Sequence, residues 1–196
     1  MHAMIVSKGS AEGKSNQLRR SHRILMDYYE IPVQKLDEGL KQCAKNIRQF
    51  KKDVEVLLKS ASNWHAIALA IFACEELGKY RALLEAKKIA SGGIGKVDKL
   101  IFGFGGRRSH EYKMQLAQER LPAEALTLIP RYVISSAHDP ITIDKVEASA
   151  QIRLTCLFLD WNPKTKDWDF GTPMNPDHLT GLVDAVIAAL NKLETS

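Results

Sequence analysis

The chain has 196 residues, of which 45% are hydrophobic and 26% are charged. This balance is typical of a globular protein with enough apolar material for one substantial core. A formal net charge of +5 and a pI near 9.1 permit binding to a polyanion such as RNA without requiring it. Three cysteines without CxxC spacing imply no disulfide framework and indicate reduced thiols in a cytoplasmic protein. The chain shows no signal-peptide pattern and no apolar run approaching ~20 residues, so we expect neither secretion nor a membrane partner.

The start of the chain differs in composition from the remainder. Residues 1–30 are rich in Ser, Gly, Lys and Arg and have little apolar periodicity, which predicts a partly disordered leader. Residues 31–196 then form a single domain. From Pro32, apolar residues recur at alternating steps of three and four, which predicts a long amphipathic helix ending near Leu58.

A second helix should follow after only a few residues. Ser60 or Ser62 is its candidate cap, and it should end near the Ser-Gly-Gly sequence at residues 91–93. The short connection predicts that the two helices form an antiparallel hairpin. The glycine-rich stretches GGIGKV and GFGGRR lack a phosphate-binding spacing, so residues 91–108 are interpreted as a flexible basic loop.

Three further helices complete the predicted domain. One begins near Ser109, a candidate N-cap, and stops before Pro122, and another runs from Thr142 to about Asp160. The last begins at Asn175-Pro176, where a capping residue precedes a proline at the first helical position. The expected fold is therefore an all-α bundle of about five helices.

One region of this bundle favours an irregular or β excursion, near residues 156–172. Its sequence WNPKTKDW has turn chemistry at Asn162-Pro163. The flanking segments LFLDW and DWDF could pair as a small hairpin. The sequence leaves both the irregular turn and the hairpin open.

The second helix carries charges where apolar residues are expected. At 3.6 residues per turn, the stripe through Trp64, Ile67 and Ile71 passes through Glu75, and Glu76 lies on a neighbouring apolar stripe. Lys79 follows one turn later. Because an unpaired buried charge costs several kcal/mol or more, these carboxylates must be paired or protonated.

Candidate partners for the carboxylates lie on the third and fourth helices. His110 and Lys113 are three residues apart and so share one helix face, and Arg153 falls on an apolar stripe of the fourth helix. Arg is suited to bidentate capture of a buried carboxylate, which predicts a pairing of Arg153 with Glu75 or Glu76. Asp160 is a further candidate member of this polar cluster.

Three motifs in this order resemble the AbiV family of bacterial abortive-infection proteins. They are EELGK at residues 75–79, H-x-x-K at His110 and Lys113, and Arg153 followed by LFLDW and a later Pro. The resemblance covers roughly residues 36–175. The AbiV domain is assigned to the HEPN (higher eukaryote and prokaryote nucleotide-binding) superfamily, so the resemblance implies a HEPN-like helical bundle.

The resemblance also implies a function. It points to a cytoplasmic anti-phage protein that inhibits host and phage gene expression during infection, with translation as the main target. Many HEPN relatives are metal-independent ribonucleases that use an Arg and a His with four to six residues between them, usually at a dimer interface. Arg131 and His138, with six residues between them, match that spacing formally. However, Pro130, Pro140 and β-branched residues between them predict that this segment is not helical.

The polar cluster allows a catalytic and a structural interpretation. Histidine is the side chain that changes charge near neutral pH, which makes His110 the candidate general base or acid for attack by an RNA 2′-hydroxyl. The cationic side chains would bind phosphate or stabilise developing charge, and the carboxylates would orient them. The candidate catalytic residues are His110, Lys113, Arg153, Glu75, Glu76 and Lys79. In the structural interpretation, the same residues form a buried ion-pair network that fixes the helix register.

No metal or cofactor is expected at this cluster. Glu-rich helical bundles that hold two iron ions need Glu-x-x-His on two helices, and this sequence contains none. Two functional hypotheses follow. The first is a HEPN-type homodimer that acts as a ribonuclease or translation inhibitor on RNA or the translation machinery. The second is a non-enzymatic interaction module whose cluster is structural. In either case a phage protein is a candidate activator.

Overall fold

A computed structural model describes residues 28–102, 107–128 and 176–196, together with the backbone of four short strands between residues 133 and 169. Helices predominate over these residues, and strands occur there only as small two-stranded antiparallel sheets. The predicted all-α class is therefore confirmed.

The two longest helices form the predicted hairpin. Helix α1 spans Val33–Lys59 and helix α2 spans Asn63–Lys88. The apolar positions of α1 that recur at steps of three and four turn toward α2 and are buried. The tight turn between the helices is closed by a hydrogen bond from the backbone N–H of Ser62 to the carbonyl of Leu57, at 2.9 Å. Ala61 adopts a left-handed conformation there, with φ of 56°.

Helix α2 lies at the centre of the described structure. It packs against α1, against helix α3 (Arg107–Gln118) and against helix α5 (Pro176–Glu194). The short helix α4 (Ala123–Leu128) packs on α5. Because neighbours surround α2, both its apolar stripes and the charges interrupting them are turned into the protein. Within the described helices, none is long and apolar enough to cross a membrane.

One sheet was not anticipated from the sequence. Strand β1 (Tyr28–Pro32) pairs antiparallel with strand β2 (Ile94–Asp98), which continues into a 3-10 turn at Lys99–Phe102. A Cβ added at Gly95 would lie 2.5 Å from Leu36 Cδ1, so the sheet lies directly against the helical hairpin. The flexible-loop prediction is therefore wrong for residues 94–102. Residues 94–98 pair with a strand 62 to 70 positions earlier in the chain, and residues 99–102 form the 3-10 turn.

The predicted β excursion is confirmed as a hairpin. Strand β5 (Asp160–Asn162) pairs with strand β6 (Asp167–Asp169), with Trp161 opposite Trp168. Earlier in the chain, strand β3 (Val133–Ser135) pairs with strand β4 (Pro140–Thr142). The segment between Arg131 and His138 is thus extended at residues 133–135, as its β-branched residues predict.

Among the three helix starts predicted after residue 100, two are wrong and one is confirmed. Thr142 ends strand β4 instead of opening a helix, since Pro140 and two β-branched residues favour extended backbone there. Residues 143–159 of that predicted helix lie outside the described residues, and its expected end at Asp160 belongs to β5. Helix α3 begins at Arg107, so Ser109 lies inside its first turn and is not its N-cap. Helix α5 begins at Pro176, as predicted.

Candidate active site

The candidate site lies where the backbones of α2 and α3 approach each other closely. A Cβ built on Gly78 would lie 1.8 Å from the carbonyl oxygen of Lys113, far inside contact distance. Only a glycine allows the helices to approach so closely here. Glu75 is one turn before Gly78 and His110 is one turn before Lys113, so the contact brings their side chains together.

Glu75 is the centre of this arrangement. Its Oε2 lies 2.7 Å from Nδ1 of His110 and 3.6 Å from Nζ of Lys113. An ionised carboxylate can only accept hydrogen bonds, so Nδ1 of His110 is the donor. In a neutral imidazole this fixes the tautomer and gives Nε2 the lone pair, which is the arrangement that a carboxylate imposes on a catalytic histidine.

Glu76 and Lys79 form a separate ion pair beside the contacts of Glu75. Nζ of Lys79 contacts Oε1 of Glu76. Nδ2 of Asn46, on α1, donates to the other oxygen of Glu76 at 3.5 Å, and Gln42 donates to Asn46 Oδ1 at 2.8 Å. A series of hydrogen-bonded polar side chains therefore runs from the exposed surface of α1 to Glu76 on α2.

The contacts of Glu75 and the Glu76–Lys79 pair act electrostatically as one group of five residues, here called the central cluster: Glu75, Glu76, Lys79, His110 and Lys113. Burial lowers the pKa of the Lys113 ammonium below its ordinary value. Glu75 and Glu76 oppose this shift and Lys79 adds to it, so the pKa of Lys113 depends both on its contact with Glu75 and on the Glu76–Lys79 pair. Lys113 is thus a lysine that gives up its proton more readily than an exposed one.

Exposure differs across the central cluster. The side chains of Glu75 and Lys113 are 6% and 8% exposed, whereas those of His110 and Lys79 are 29% and 23% exposed. The cluster therefore has a sealed side, where the charges are desolvated, and an open side, where a histidine and a lysine reach solvent. A ligand could contact the open side without the helices separating.

The cysteines and serine near the cluster are unsuited to nucleophilic chemistry. Burial raises the pKa of the Cys43 and Cys74 thiols to about 12, with Glu76 adding to the shift at Cys43 and Glu75 at Cys74. Both thiols therefore remain protonated and unreactive. The buried hydroxyl of Ser109 has no hydrogen-bond partner among the described residues. Likewise, the described residues contain no group of three or more side chains arranged to hold a metal ion.

The structure brings together five of the six residues predicted for the site. Arg153 lies outside the described residues, as do Arg131 and His138, so the pairing of Arg153 with Glu75 or Glu76 stays a prediction. His110 and Lys113 contact Glu75. Neither Asn46 nor the role of Gly78 was predicted from the sequence. A signal for Gly78 was available, because it continues the buried stripe of Glu75 in a helix where glycine is otherwise unfavourable.

Comparison with known proteins agrees with the motifs. The family model HEPN_AbiV, described as AbiV, matches residues 35–186, a span that includes the whole central cluster. No curated protein and no solved structure matches the chain. The helical bundle with its short β excursion is the fold that the resemblance implied. Since the match extends over most of the chain, this protein belongs to the AbiV family and is an abortive-infection protein of the HEPN type.

Proposed function

We propose that this AbiV protein inhibits gene expression during phage infection by cleaving RNA at the central cluster. The observation that carries the proposal is the hydrogen bond between Glu75 and His110, made at a partly exposed edge next to two lysines. A carboxylate that holds a histidine in one tautomer, beside cations able to bind phosphate, is the equipment for general acid–base catalysis on RNA.

The proposed reaction needs no group beyond these side chains. Nε2 of His110 takes the proton of an RNA 2′-hydroxyl, and the resulting oxygen attacks the adjacent phosphorus. The bond from phosphorus to the 5′ oxygen breaks, and Lys79 protonates the leaving oxygen. Lys113, together with Lys79, offsets the negative charge that builds on the phosphate. The products are a 2′,3′-cyclic phosphate and a 5′-hydroxyl.

The setting of this activity is part of the same proposal. We place the protein in the cytoplasm as a homodimer that acts on RNA or on the translation machinery and is activated by a phage protein. The open side of the central cluster supports this arrangement, because RNA, a second protomer or an activator could contact the partly exposed His110 and Lys79. Membership of an abortive-infection family supports activity only during infection.

A second candidate function is a non-enzymatic interaction module. The burial of Glu75 and Lys113 favours it, since a sealed ion pair can fix helix register without touching a ligand. In this reading, binding to a partner inhibits gene expression, and the role of His110 is to hydrogen-bond Glu75.

Cell-free translation extracts from uninfected and phage-infected cells separate the two candidates. Wild type is compared with His110→Asn in the presence of a metal chelator. His65→Asn is the matched control, because His65 is an exposed histidine at the start of α2 that contacts Ser62 at 2.9 Å, away from the cluster. We expect cleaved RNA with cyclic phosphate ends for wild type and His65→Asn, and none for His110→Asn. Translation arrest by all three proteins with intact RNA would favour the interaction module.

A further inference from the structure

The middle of helix α1 has an unbalanced charge. Between Gly39 and Lys52 the sequence has five basic residues and no acidic residue. Two of the five are paired across the bundle with acidic residues of α5. Arg48 contacts Glu194 at 2.6 Å, and Lys51 contacts Asp184.

The other three lysines form what we call the basic stripe: Lys41, Lys45 and Lys52. At 100° per residue they fall within an arc of about 40° on one face of the helix. All three are exposed, and within the described part of the chain none forms an ion pair. Along the helix axis the stripe extends about 17 Å, at ~1.5 Å per residue.

This pattern differs from that of charged residues elsewhere on α1 and α2 that have a partner one turn away. Lys35 pairs with Glu38 on α1, and Arg81 pairs with Glu85 on α2, as is usual for charges three or four residues apart. Lys41 and Lys45, by contrast, place like charges four residues apart, which destabilises a helix. An anion bound along the stripe removes that repulsion.

We propose that the basic stripe binds the phosphate backbone of an RNA strand and holds it beside the central cluster. The inference rests on the proposed function, in which RNA is the substrate. Asn46 directly follows Lys45 on α1, on a face turned by about 100°. Its side chain donates to Glu76, so the stripe adjoins a residue that contacts the central cluster. Exposed lysines with no aromatic side chain on the same helix face suit contact with phosphates and not with bases.

The test measures RNA binding separately from RNA cleavage. A short single-stranded 2′-O-methyl RNA serves as the probe, because it has phosphates but no 2′-hydroxyl that could attack. The full chain is compared with the triple variant Lys41→Gln, Lys45→Gln, Lys52→Gln. The matched control removes the same charge elsewhere, through Lys35→Gln, Lys88→Gln and Lys96→Gln, which are also exposed.

We expect the stripe variant to bind the probe at least about tenfold more weakly than wild type, while the control changes by about twofold or less. The slope of the logarithm of the binding constant against the logarithm of the salt concentration has a magnitude of ~0.7 per phosphate contact on a single strand. Losing three contacts should therefore reduce its magnitude by about 2. Equal losses in both triple variants would overturn the proposal, because net charge alone would then explain binding. Competition by polyglutamate as strong as that by the RNA would overturn it too, in favour of an acidic protein partner.

The variant His110→Asn keeps this test distinct from the test of cleavage. It should bind the probe like wild type, since His110 lies on α3 and not on the basic stripe. If the stripe variant cleaved RNA and bound the probe with wild-type affinity, the proposed role of the basic stripe would be refuted and the proposed function would stand. Stripe-dependent binding by a protein that never cleaves RNA would refute the nuclease and leave the stripe standing.

Discussion

Two charged groups connect α2 to α3, and they differ in which charge is buried. In the central cluster the most enclosed group is a carboxylate, that of Glu75. In the second group, here called the Arg81 cluster, a guanidinium is enclosed. Arg81 contacts Glu85 at 2.8 Å, contacts Glu119, and donates to the carbonyl of Leu116 at 3.0 Å. The same pair of helices thus holds opposite charges about two turns apart.

The balance between burial and pairing is also opposite in the two clusters. At Arg81, burial works to lower the pKa, but hydrogen bonds to Glu119 and Glu85 outweigh it and the pKa is raised. At Lys113, burial outweighs the attraction of Glu75 and the pKa is lowered. The Arg81 cluster is therefore locked in its charged form, which suits a structural link. The central cluster contains groups that can exchange protons, which suits chemistry.

The largest effect on stability should come from removing the buried carboxylate. Glu75→Ala leaves Lys113 enclosed without its carboxylate partner, so the free energy of unfolding should fall by about 3–5 kcal/mol. Glu85→Ala, at the exposed end of the Arg81 cluster, is the control and should cost about 1 kcal/mol or less. Urea denaturation followed by circular dichroism measures both. Similar losses in the two variants would show that Glu75 is not the buried centre of the site.

Gly78 tests whether the close approach of α2 and α3 creates the central cluster. Gly78→Ala places a methyl group against the carbonyl of Lys113, which cannot move without shifting α3, so we expect a loss of about 3 kcal/mol. The control is Gly39→Ala, whose new methyl group would meet only Leu83 Cδ1, at 3.2 Å. A flexible side chain can give way, and alanine favours helix, so stability should change by about 1 kcal/mol or less. Thermal unfolding measures the stability of both variants. A Gly78→Ala variant as stable as wild type would contradict the close contact between Gly78 and the backbone of Lys113.

A smaller loss is expected in the Arg81 cluster. Arg81→Ala removes a cation together with its hydrogen bonds to Glu85 and Glu119. Because both acidic partners are half-exposed, the free energy of unfolding should fall by about 1–3 kcal/mol. Denaturant titration gives the value. If the free energy of unfolding did not change, the Arg81 cluster would be only a surface ion pair and not a structural link between α2 and α3.

The smallest expected effect is a pH dependence from Lys113. Its pKa is lower in the folded chain than the ordinary 10.5, so between those two values the unfolded state binds more protons. Wild-type stability should therefore rise with pH over that window, relative to Lys113→Met. The cysteines act oppositely, because a folded pKa of about 12 against 9.0 lowers stability as pH rises above 9.0, but they are present in both proteins and cancel. A difference between the two proteins that does not vary with pH, measured by urea denaturation, would argue against a perturbed Lys113.

The sequence was informative where local pattern determines structure. Helical periodicity located α1 and α2, and the interruption of an apolar stripe by Glu75 located the site. Pairing across the chain was less accessible. No local signal joins β1 to β2, and nothing in the sequence shows that Gly78 faces the backbone of Lys113. Cap chemistry at Ser109 was also misleading, because a serine can be buried in a first turn as well as precede it.

The most direct test of the account compares RNA cleavage by His110→Asn and Arg81→Ala at equal concentrations of folded protein, in extracts from phage-infected cells. We predict that His110→Asn keeps its stability and loses at least about a hundredfold in cleavage rate. Arg81→Ala should lose stability and keep the cleavage rate of its folded fraction. Equal cleavage by both variants, at the wild-type rate, would contradict the assignment of the central cluster as an active site and return it to a structural role.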